Sequence, residues 1–374
     1  MIGRTLTAYF AGHFLRGVAI TFATFLVLIT AVDMIDQSRR ASGVDEAGFL
    51  QVTAISASKG LVLAEGIWPF AVFFGAMATL IVLNRRLELV VARGAGVSVW
   101  RFLFPAVIAA LVTGLFAALV YNPVALAARD AGQDLQERVY GKTRANADAY
   151  VEDFWLRTNA LAGAYVIHAN TAREDGRRLA GVTRYGFDAD GRSTDRVDAE
   201  TFTFVDRGEA SVWEAANAVV YPARARDERG PRLGERHERI EFPAFVDRAS
   251  LKRAATGPDD VPFWSLREEG ARVAASGRNA LPYETRFQSL LSRPLLYVAM
   301  VLLAGTVSLR FARFGLRPGA LVLGVAAAFV LYVVAEVVLA FGRNGFVAPW
   351  VAAWSPALVA TLLASSVLLA QEDG

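Results

Sequence analysis

The segment RRLELVVARGAGVS, residues 85–98, is a short charged turn between two long apolar runs. Three apolar runs lie within the first 121 residues and three more follow residue 286, with about 160 polar residues between the two groups. A membrane-spanning helix needs roughly 20 largely apolar residues. The sequence therefore predicts six spans in a 3+3 arrangement, with a small helix at about 84–99 on one side of the membrane and a large insert on the other.

The predicted spans divide the chain into three regions. They cover residues 6–32, 60–83, 102–121, 287–309, 319–341 and 346–370. The first run is not a cleavable signal peptide, because its apolar stretch is too long and no small-residue cleavage site follows it. We expect three helices in residues 1–121, the insert with its flanking helices in residues 122–283, and three helices in residues 284–374.

The basic residues of the short loops predict the orientation of the spans. Eight lie at the N-terminus and in the turns after spans two and four: Arg4, Arg85, Arg86, Arg93, Arg101, Arg310, Arg313 and Arg317. Four lie on the opposite side: Arg39, Arg40, Lys59 and Arg343. The long insert is left out, since large domains cross the membrane largely regardless of charge. This distribution favours cytoplasmic termini and an exported insert.

The composition and the motifs of the chain argue against an enzyme. The chain has no cysteine, which excludes a cysteine-ligated metal and a thiol nucleophile, and its net charge of +3 is too slight to indicate nucleic-acid binding. His168 and His237 have no accompanying ligand cluster. The tripeptide at 141–143 recurs in phosphate-binding loops, but the glycine that such a loop needs upstream is Gln136 here. We expect no cofactor, no metal and no catalytic residue.

The insert has the pattern of an all-β unit. Short alternating stretches of β-branched and aromatic residues lie at 164–169, 181–187, 201–205 and 218–221, separated by Asp/Gly turns. This pattern predicts an antiparallel sandwich or jelly roll, with helices at 123–138 and 264–276 leading in and out. Tyr165 shares a strand face with Ile167, and Phe202 shares one with Phe204. These residues line either an apolar groove or a closed core.

Four stretches carry a resemblance to a known family. They are VDMIDQSRR at 32–40, ELVVARGAGVS at 88–98, RPL at 293–295, and NGFVAPW at 344–350 followed by AWSP at 353–356. With the 3+3 layout, the chain resembles the LptF/LptG permeases of the Gram-negative lipopolysaccharide export system over essentially its whole length. The pair Asp36-Gln37 followed by basic residues is more similar to LptG than to LptF.

The resemblance implies a fold, a location and a set of partners. The fold would be an α-helical membrane protein with six transmembrane helices (3+3) and an inserted all-β, jelly-roll-like periplasmic domain, in the inner membrane. The partners would be an LptF-type paralogue, two copies of the cytosolic ATPase LptB, and the single-span protein LptC. The complex would extract lipopolysaccharide, its substrate, and pass it to a periplasmic bridge. This chain has no nucleotide-binding loop, so a partner would supply ATP hydrolysis.

The segment after span two is the candidate site for coupling to that ATPase. Glu88, Ala92 and Ala95 share one face of a helix by their spacing, and Arg93 lies beside them. The two alanines would let another surface approach closely, and Glu88 would supply a charge. The alternative is a solvated turn whose arginines only anchor it at the membrane surface.

The outer end of span one is the candidate substrate site. Arg39 and Arg40 follow Asp36 and Gln37 there, and arginine binds the phosphates carried by lipid A through paired hydrogen bonds. The alternative is that the two arginines extend to ordinary lipid headgroups. Two arginines beyond span three, Arg129 and Arg138, are further candidates.

Two carboxylates within the spans need partners. An ionisable residue inside a membrane is costly, so each should face a partner or a wet cavity. We expect Glu336 to be buried at mid-depth of span five and Glu65 to lie near the outer end of span two. Spans three and six contain no such group, so a hydrogen bond across helices is favoured over a proton relay. The alternative function for the whole chain is a membrane-anchored scaffold or sensor whose exported β domain binds a partner. A lipid-modifying enzyme would need convergent polar groups at one membrane face, and the sequence shows none.

Overall fold

The structure, a computed structural model, describes most of the chain. The described residues are 4–41, 48–94, 98–140, 150–160, 163–173, 176–188, 192–206, 211–222, 226–227, 230–231, 234–244, 257–275, 279–314 and 318–373. They form two compact units, one of Met1–Leu135 with Val261–Gly374 and one of Gln136–Asp260. Six helices of the first unit are long and apolar enough to cross a membrane, and the second unit contains a six-stranded sheet. The predicted fold class is confirmed.

The first three spans contain two interruptions of regular α-helix. Span one is helix α1, Arg4–Ala41, and span two is α2, Phe49–Leu63, which meets α3, Trp68–Arg85, through a 3₁₀ turn at Ala64–Ile67. Pro69 occupies the first turn of α3, where its missing N–H breaks no helical hydrogen bond.

Span three is longer than predicted. A short helix α4, Glu88–Gly94, precedes α5, Val99–Phe116, and a π-helical turn at Ala117–Tyr121 joins α5 to α6, Asn122–Tyr140. The sequence predicted separate helices at 102–121 and 123–138. They are one continuous helical rod, because the widened turn admits Pro123 without a break.

The second half of the helical unit begins where the chain leaves the insert. Two 3₁₀ turns, Pro258–Asp260 and Phe263–Ser265, precede α7, Leu266–Ala275. Spans four, five and six are α8, Leu281–Phe314, α9, Pro318–Arg343, and α10, Pro349–Asp373. Each span extends the apolar run that predicted it by a few residues at one or both ends.

Small residues bring the first helices into close contact. A Cβ atom built on Gly17 of α1 would lie 2.8 Å from the carbonyl oxygen of Gly75 on α3, and one built on Gly75 would lie 2.6 Å from the Cα of Val18. Neither position has room for a side chain. Membrane helices associate through van der Waals packing, which such small residues permit at short range, so α1 and α3 cross backbone to backbone.

The inserted unit is built of consecutive antiparallel hairpins. Its strands are β1 Tyr150–Ala160, β2 Gly163–Arg173, β3 Arg178–Phe187, β4 Ser193–Asp206, β5 Ser211–Pro222, β6 Arg226–Asp227, β7 Gly230–Pro231 and β8 Glu235–Pro243. The sheet order is β1-β2-β3-β4-β5-β8, and β6 pairs with β7. The four stretches predicted as strands lie in β2, β3, β4 and β5. Within the described residues, they belong to one large sheet rather than to two facing sheets.

The large sheet rolls over its own apolar face. The guanidinium carbon of Arg184 on β3 lies 4.6 Å from the ring centroid of Phe242 on β8, and the rings of Phe202 on β4 and Phe242 stack at 6.0 Å. In a flat sheet, β3 and β8 would be about 14 Å apart, because neighbouring strands are about 4.8 Å apart. The roll encloses the pairs Tyr165/Ile167 and Phe202/Phe204, all at most 5% exposed, around Trp213. Both pairs therefore share the buried face.

Candidate functional site

Helix α4 contacts α1 and the helical core through its first two residues. The hydroxyl of Tyr9 donates to both carboxylate oxygens of Glu88, at 3.2 and 3.1 Å. Leu89 is 2% exposed in the helical core, while Val91 is 69% exposed. The side chains of Ala92 and Arg93, and the whole of Ala95, lie outside the described residues. No sequence pattern indicated Tyr9, because the contact spans 79 positions.

The C-terminal end of α1 presents charge beside an apolar groove. Asp36 and Arg39 are exposed, and a groove of about 420 Å³ is lined by four apolar side chains together with Asp33 and Asp36. Gln37 is only 1% exposed, so it packs inside the chain and does not share the surface of its neighbours. The side chain of Arg40 lies outside the described residues. The structure thus places Asp36 and Arg39, but not Gln37, where a ligand could reach them.

The two arginines of α6 differ in their surroundings. The side chain of Arg129 is 22% exposed, with an Nη2 atom 3.9 Å from a carboxylate oxygen of Asp130. Arg138, near the end of the helix, is exposed.

The most connected polar residue of the helical unit is Glu65. It lies in the 3₁₀ turn between α2 and α3 and is 6% exposed. Its Oε1 accepts hydrogen bonds from Nη2 of Arg286 and from Nη2 of Arg293, each at 2.5 Å, and its Oε2 accepts from the side-chain amide of Asn122 at 2.9 Å. The predicted hydrogen bond across helices is confirmed for Glu65. We call these four residues the buried charge cluster.

Sequence reasoning missed three of these four roles, although one signal was present. Arg286 and Arg293 are seven residues apart in α8, which places them two turns apart on one helix face. Two arginines on one face of a membrane helix need an acidic partner within the membrane. Glu65, an acidic residue inside the second span, was a candidate for that partner. For Asn122 no such signal exists, because its neighbours in sequence are apolar.

Asn122 extends the buried charge cluster toward the segment that leaves the insert. Its side-chain oxygen accepts a hydrogen bond from the backbone N–H of Phe263 at 3.0 Å. One residue further on, the indole N–H of Trp264 donates to the carbonyl of Leu119 at 3.1 Å. The π-helical end of span three, the break in span two and the 3₁₀ turn before α7 are therefore linked by hydrogen bonds.

A small cavity opens beside the buried charge cluster. It has a volume of about 80 Å³ and lies among α3, α8, α9 and α10. Its charged and tyrosine lining comprises Glu65, Arg286, Arg293, Tyr297, Tyr332, Glu336 and Arg343. We call this cavity the cationic crevice. Glu336 is exposed in this chain, which corrects the expectation that it is buried at mid-depth of its span.

The charges of α7 neutralise one another. Arg272 forms ion pairs with Glu268 and Glu269, both at 2.5 Å, on the exposed side of the helix. The hydrogen bond with Glu268 raises the pKa of Arg272 above its usual value. Leu266 and Val273 are buried on the other side. This amphipathic helix is typical of a segment that lies along a membrane surface.

Comparison with known proteins agrees with this architecture. Among curated proteins, none matches the chain significantly. Residues 8–370 match the family described as lipopolysaccharide export system permease LptF/LptG, which covers all six spans and the inserted β unit. The match is to the family as a whole and does not separate LptF from LptG. The resemblance read from the sequence is confirmed, and the chain belongs to the LptF/LptG family of lipopolysaccharide export permeases.

Proposed function

We propose that this protein is the permease subunit of an ATP-driven exporter that extracts lipopolysaccharide from the inner membrane and passes it to a periplasmic bridge. The match to a permease family over residues 8–370 carries this proposal. Copurification tests it directly. The detergent-solubilised chain should bring down a cytosolic ATPase, whereas a scaffold or sensor would retain only partners of the β unit.

Helix α1 supports the proposed assembly with an LptF-type paralogue and an LptC-type single-span protein. In the most apolar 18-residue stretch of α1, only 6% of the residues are buried inside this chain, against 67% in the corresponding stretch of α8. Ile20, Val27 and Val32 are each more than 60% exposed. A span with so little internal packing has most of its surface available for helices of other chains. The Asp36-Gln37 pair supports the LptG-type role for this subunit.

The α4 segment is the proposed contact for an LptB-type ATPase dimer. Leu89 anchors the helix in the core, so the helix cannot move without moving α1 and α3. The exposed Val91 offers an apolar contact outward. In this proposal Glu88, Ala92, Arg93 and Ala95 transmit the movement of the ATPase to the spans.

Replacing Glu88 with alanine should leave membrane insertion intact and reduce ATP-dependent transport. Tyr9→Phe is the matched control, because it removes the same two hydrogen bonds and keeps the carboxylate. If Glu88 contacts the ATPase, Glu88→Ala lowers ATPase copurification and Tyr9→Phe does not. Equal losses in both variants would assign Glu88 to fastening α4 internally, and normal transport in Glu88→Ala would contradict the coupling role.

The outer end of α1 is the proposed entrance for lipopolysaccharide. The groove beside Asp36 is almost wholly apolar, and Arg39 is exposed beyond it, so acyl chains and phosphates would each meet suitable groups. Arg40 adds a second cation by sequence. Arg129 and Arg138 are proposed as further phosphate contacts in the assembled complex, and Gln37 as a buried support for this end of α1.

The double substitution Arg39→Ala with Arg40→Ala should weaken lipopolysaccharide binding. Each lost charge-assisted hydrogen bond contributes about 1.5–3 kcal/mol at most, so the affinity should fall by about tenfold or more. Photocrosslinkers placed at positions 36 and 39 should capture lipopolysaccharide from the wild-type chain. A crosslinker at Leu15, exposed at the other end of α1, is the control. Capture at Leu15 alone would exclude this entrance.

The rolled sheet is the proposed carrier of acyl chains beyond the membrane. Its inner face is continuous and apolar, with Phe202, Phe204 and Trp213 near its centre. In this proposal the sheet opens along the β8 edge, and the acyl chains replace contacts that the aromatic rings make with one another. The competing proposal is that this apolar face of the sheet is the permanently closed core of the inserted unit. The substitution Phe204→Asp distinguishes the two proposals.

A further inference from the structure

Two buried donors on the cationic crevice are not engaged by Glu65. Nη1 of Arg293 and the hydroxyl of Tyr297 have no hydrogen-bond partner among the described residues. Tyr297 is fully buried, and both residues line the crevice. Buried polar atoms are almost always paired in folded proteins. Two unpaired donors on residues that line one cavity therefore indicate a place for an acceptor, which small side-chain movements would bring within hydrogen-bond distance.

The charges of the crevice define what kind of acceptor fits. Three guanidinium groups line it, those of Arg286, Arg293 and Arg343, against two carboxylates, those of Glu65 and Glu336. Glu65 is already shared between two arginines and an amide, so both of its carboxylate oxygens are engaged. Counted over the lining alone, guanidinium groups outnumber carboxylates by one, and such a surplus of positive charge attracts an anion at a site of low dielectric. Planar guanidinium groups match the geometry of phosphate oxygens.

The size of the crevice agrees with one phosphate group. At 10–15 Å³ for each water-sized position, its volume of about 80 Å³ corresponds to roughly five to eight such positions. The heavy atoms of one phosphate group fit within that number. The crevice is too small for a sugar or for an acyl chain, so only a headgroup could enter it.

The crevice lies toward the leaflet on the insert side of the membrane. Arg286 is near the start of α8, the first span after the insert, and Arg343 is the last residue of α9, which ends on that same side. Glu336, at the rim of the crevice, is exposed on the surface of the helical unit. A headgroup in that leaflet can therefore reach the crevice without crossing the apolar interior.

We propose that the cationic crevice binds the phosphate group of an anionic lipid headgroup, with Arg293 and Tyr297 as its donors and Arg343 at the rim. The bound lipid would be held against α8, α9 and α10, away from the entrance at the outer end of α1. The site does not depend on the export function proposed above. Lipopolysaccharide and anionic phospholipids share the phosphate chemistry, and the experiment separates these two sources.

Lipid retention by the purified full-length chain tests the site. The delipidated chain in detergent is titrated with phosphatidylglycerol, lipopolysaccharide, phosphatidylcholine or inorganic phosphate, and native mass spectrometry counts the bound molecules. We expect saturable, Arg293-dependent retention of one phosphatidylglycerol or one lipopolysaccharide per chain, in addition to any lipopolysaccharide held at the proposed entrance at α1. Phosphatidylcholine, whose phosphate is neutralised by its own choline, should be retained more weakly by about tenfold.

Three variants assign the retained lipid to the crevice. Arg293→Gln removes the surplus charge while Arg286 and Asn122 still hold Glu65, and it should weaken retention by about tenfold. Tyr297→Phe removes only a hydroxyl from a packed ring, so it should fold normally and weaken retention by about threefold. Arg101→Gln, which removes an exposed arginine at the start of α5 on the other side of the membrane, should change nothing.

Each outcome of the titration decides one point. Loss of retention in Arg293→Gln and Tyr297→Phe supports the site, and the lipid whose retention is lost names the source. Arg293-dependent binding of inorganic phosphate alone would support a phosphate site that does not select lipids. Unchanged retention in both variants, or equal retention of phosphatidylcholine, would overturn the proposal and leave the crevice as a hydrated cavity. The photocrosslinking at α1 would be unaffected by that failure.

Discussion

Replacing Glu65 with glutamine should destabilise the helical unit more than any other single change of a polar side chain described above. The substitution keeps the size of the side chain but removes the carboxylate charge that the largely buried guanidinium groups of Arg286 and Arg293 share. Breaking a buried ion pair from one side costs about 3–5 kcal/mol. That is a large part of the 5–15 kcal/mol typical of a folded domain. The measurement is thermal aggregation of the detergent-solubilised chain.

Two further variants show that the loss comes from the uncompensated charge. Glu284→Gln makes the same chemical change on the exposed first turn of α8, where the carboxylate accepts a hydrogen bond from the uncharged amide of Gln288, and should cost little. Adding Arg293→Gln to Glu65→Gln removes one of the two guanidinium charges that have lost their shared carboxylate, and should recover part of the loss. If the double variant were as unstable as the sum of the two single variants, the shared ion pair would not be the cause.

Replacing Phe204 with aspartate should unfold the inserted unit if the face is a permanent core. Phe204 is 3% exposed, with its ring 5.4 Å from that of Trp213 in a T-shaped contact. Truncating a buried phenylalanine costs about 3–5 kcal/mol, and burying a charge adds to this. The expected result is rapid proteolysis within residues 150–244, with the helical unit intact.

The proposed acyl carrier predicts a different result for the same variant. A sheet that opens along β8 could expose the new carboxylate to water, so the unit would resist protease while lipopolysaccharide export is lost. Tyr221→Asp, at a position of β5 that is 41% exposed, is the matched control and should change neither folding nor export. A protease-resistant Phe204→Asp chain with full export would contradict both the core and the carrier.

The buried charge cluster joins three spans at the positions where their regular α-helix is interrupted. Glu65 lies in the 3₁₀ turn of span two, Asn122 follows the π-helical turn of span three, and Arg293 precedes Pro294 within α8. Interruptions of a membrane helix are tolerated where neighbouring groups satisfy the freed backbone, and here the hydroxyl of Tyr121 donates to the carbonyl of Leu61 at 2.6 Å. Movements of spans two, three and four are therefore coupled at this level.

The sequence by itself determined the spans, the character of the insert and the family. Apolar runs of about 20 residues can be satisfied only by spanning a membrane, and alternation in residues such as Tyr165 and Ile167 belongs to a sheet with one buried face. Apolar runs and strand alternation are both local properties, because a few neighbouring residues are enough to identify them. Because such patterns are local, the prediction of two separate helices at 102–121 and 123–138 was wrong. Pro123 is typical of a helix boundary, and only the π-helical turn before it shows that span three continues.

Tertiary structure alone decided which polar groups meet. Glu65 lies 221 positions from Arg286 and 228 from Arg293, and Phe263 lies 141 from Asn122, so no sequence spacing could have joined them. Glu336, like Glu65, is a single acidic residue within an apolar run of the sequence. Glu336 is nevertheless exposed, whereas Glu65 is buried. Burial of a charge depends on whether a partner helix delivers the opposite charge at the same depth, and that is settled by packing between helices rather than by composition within one.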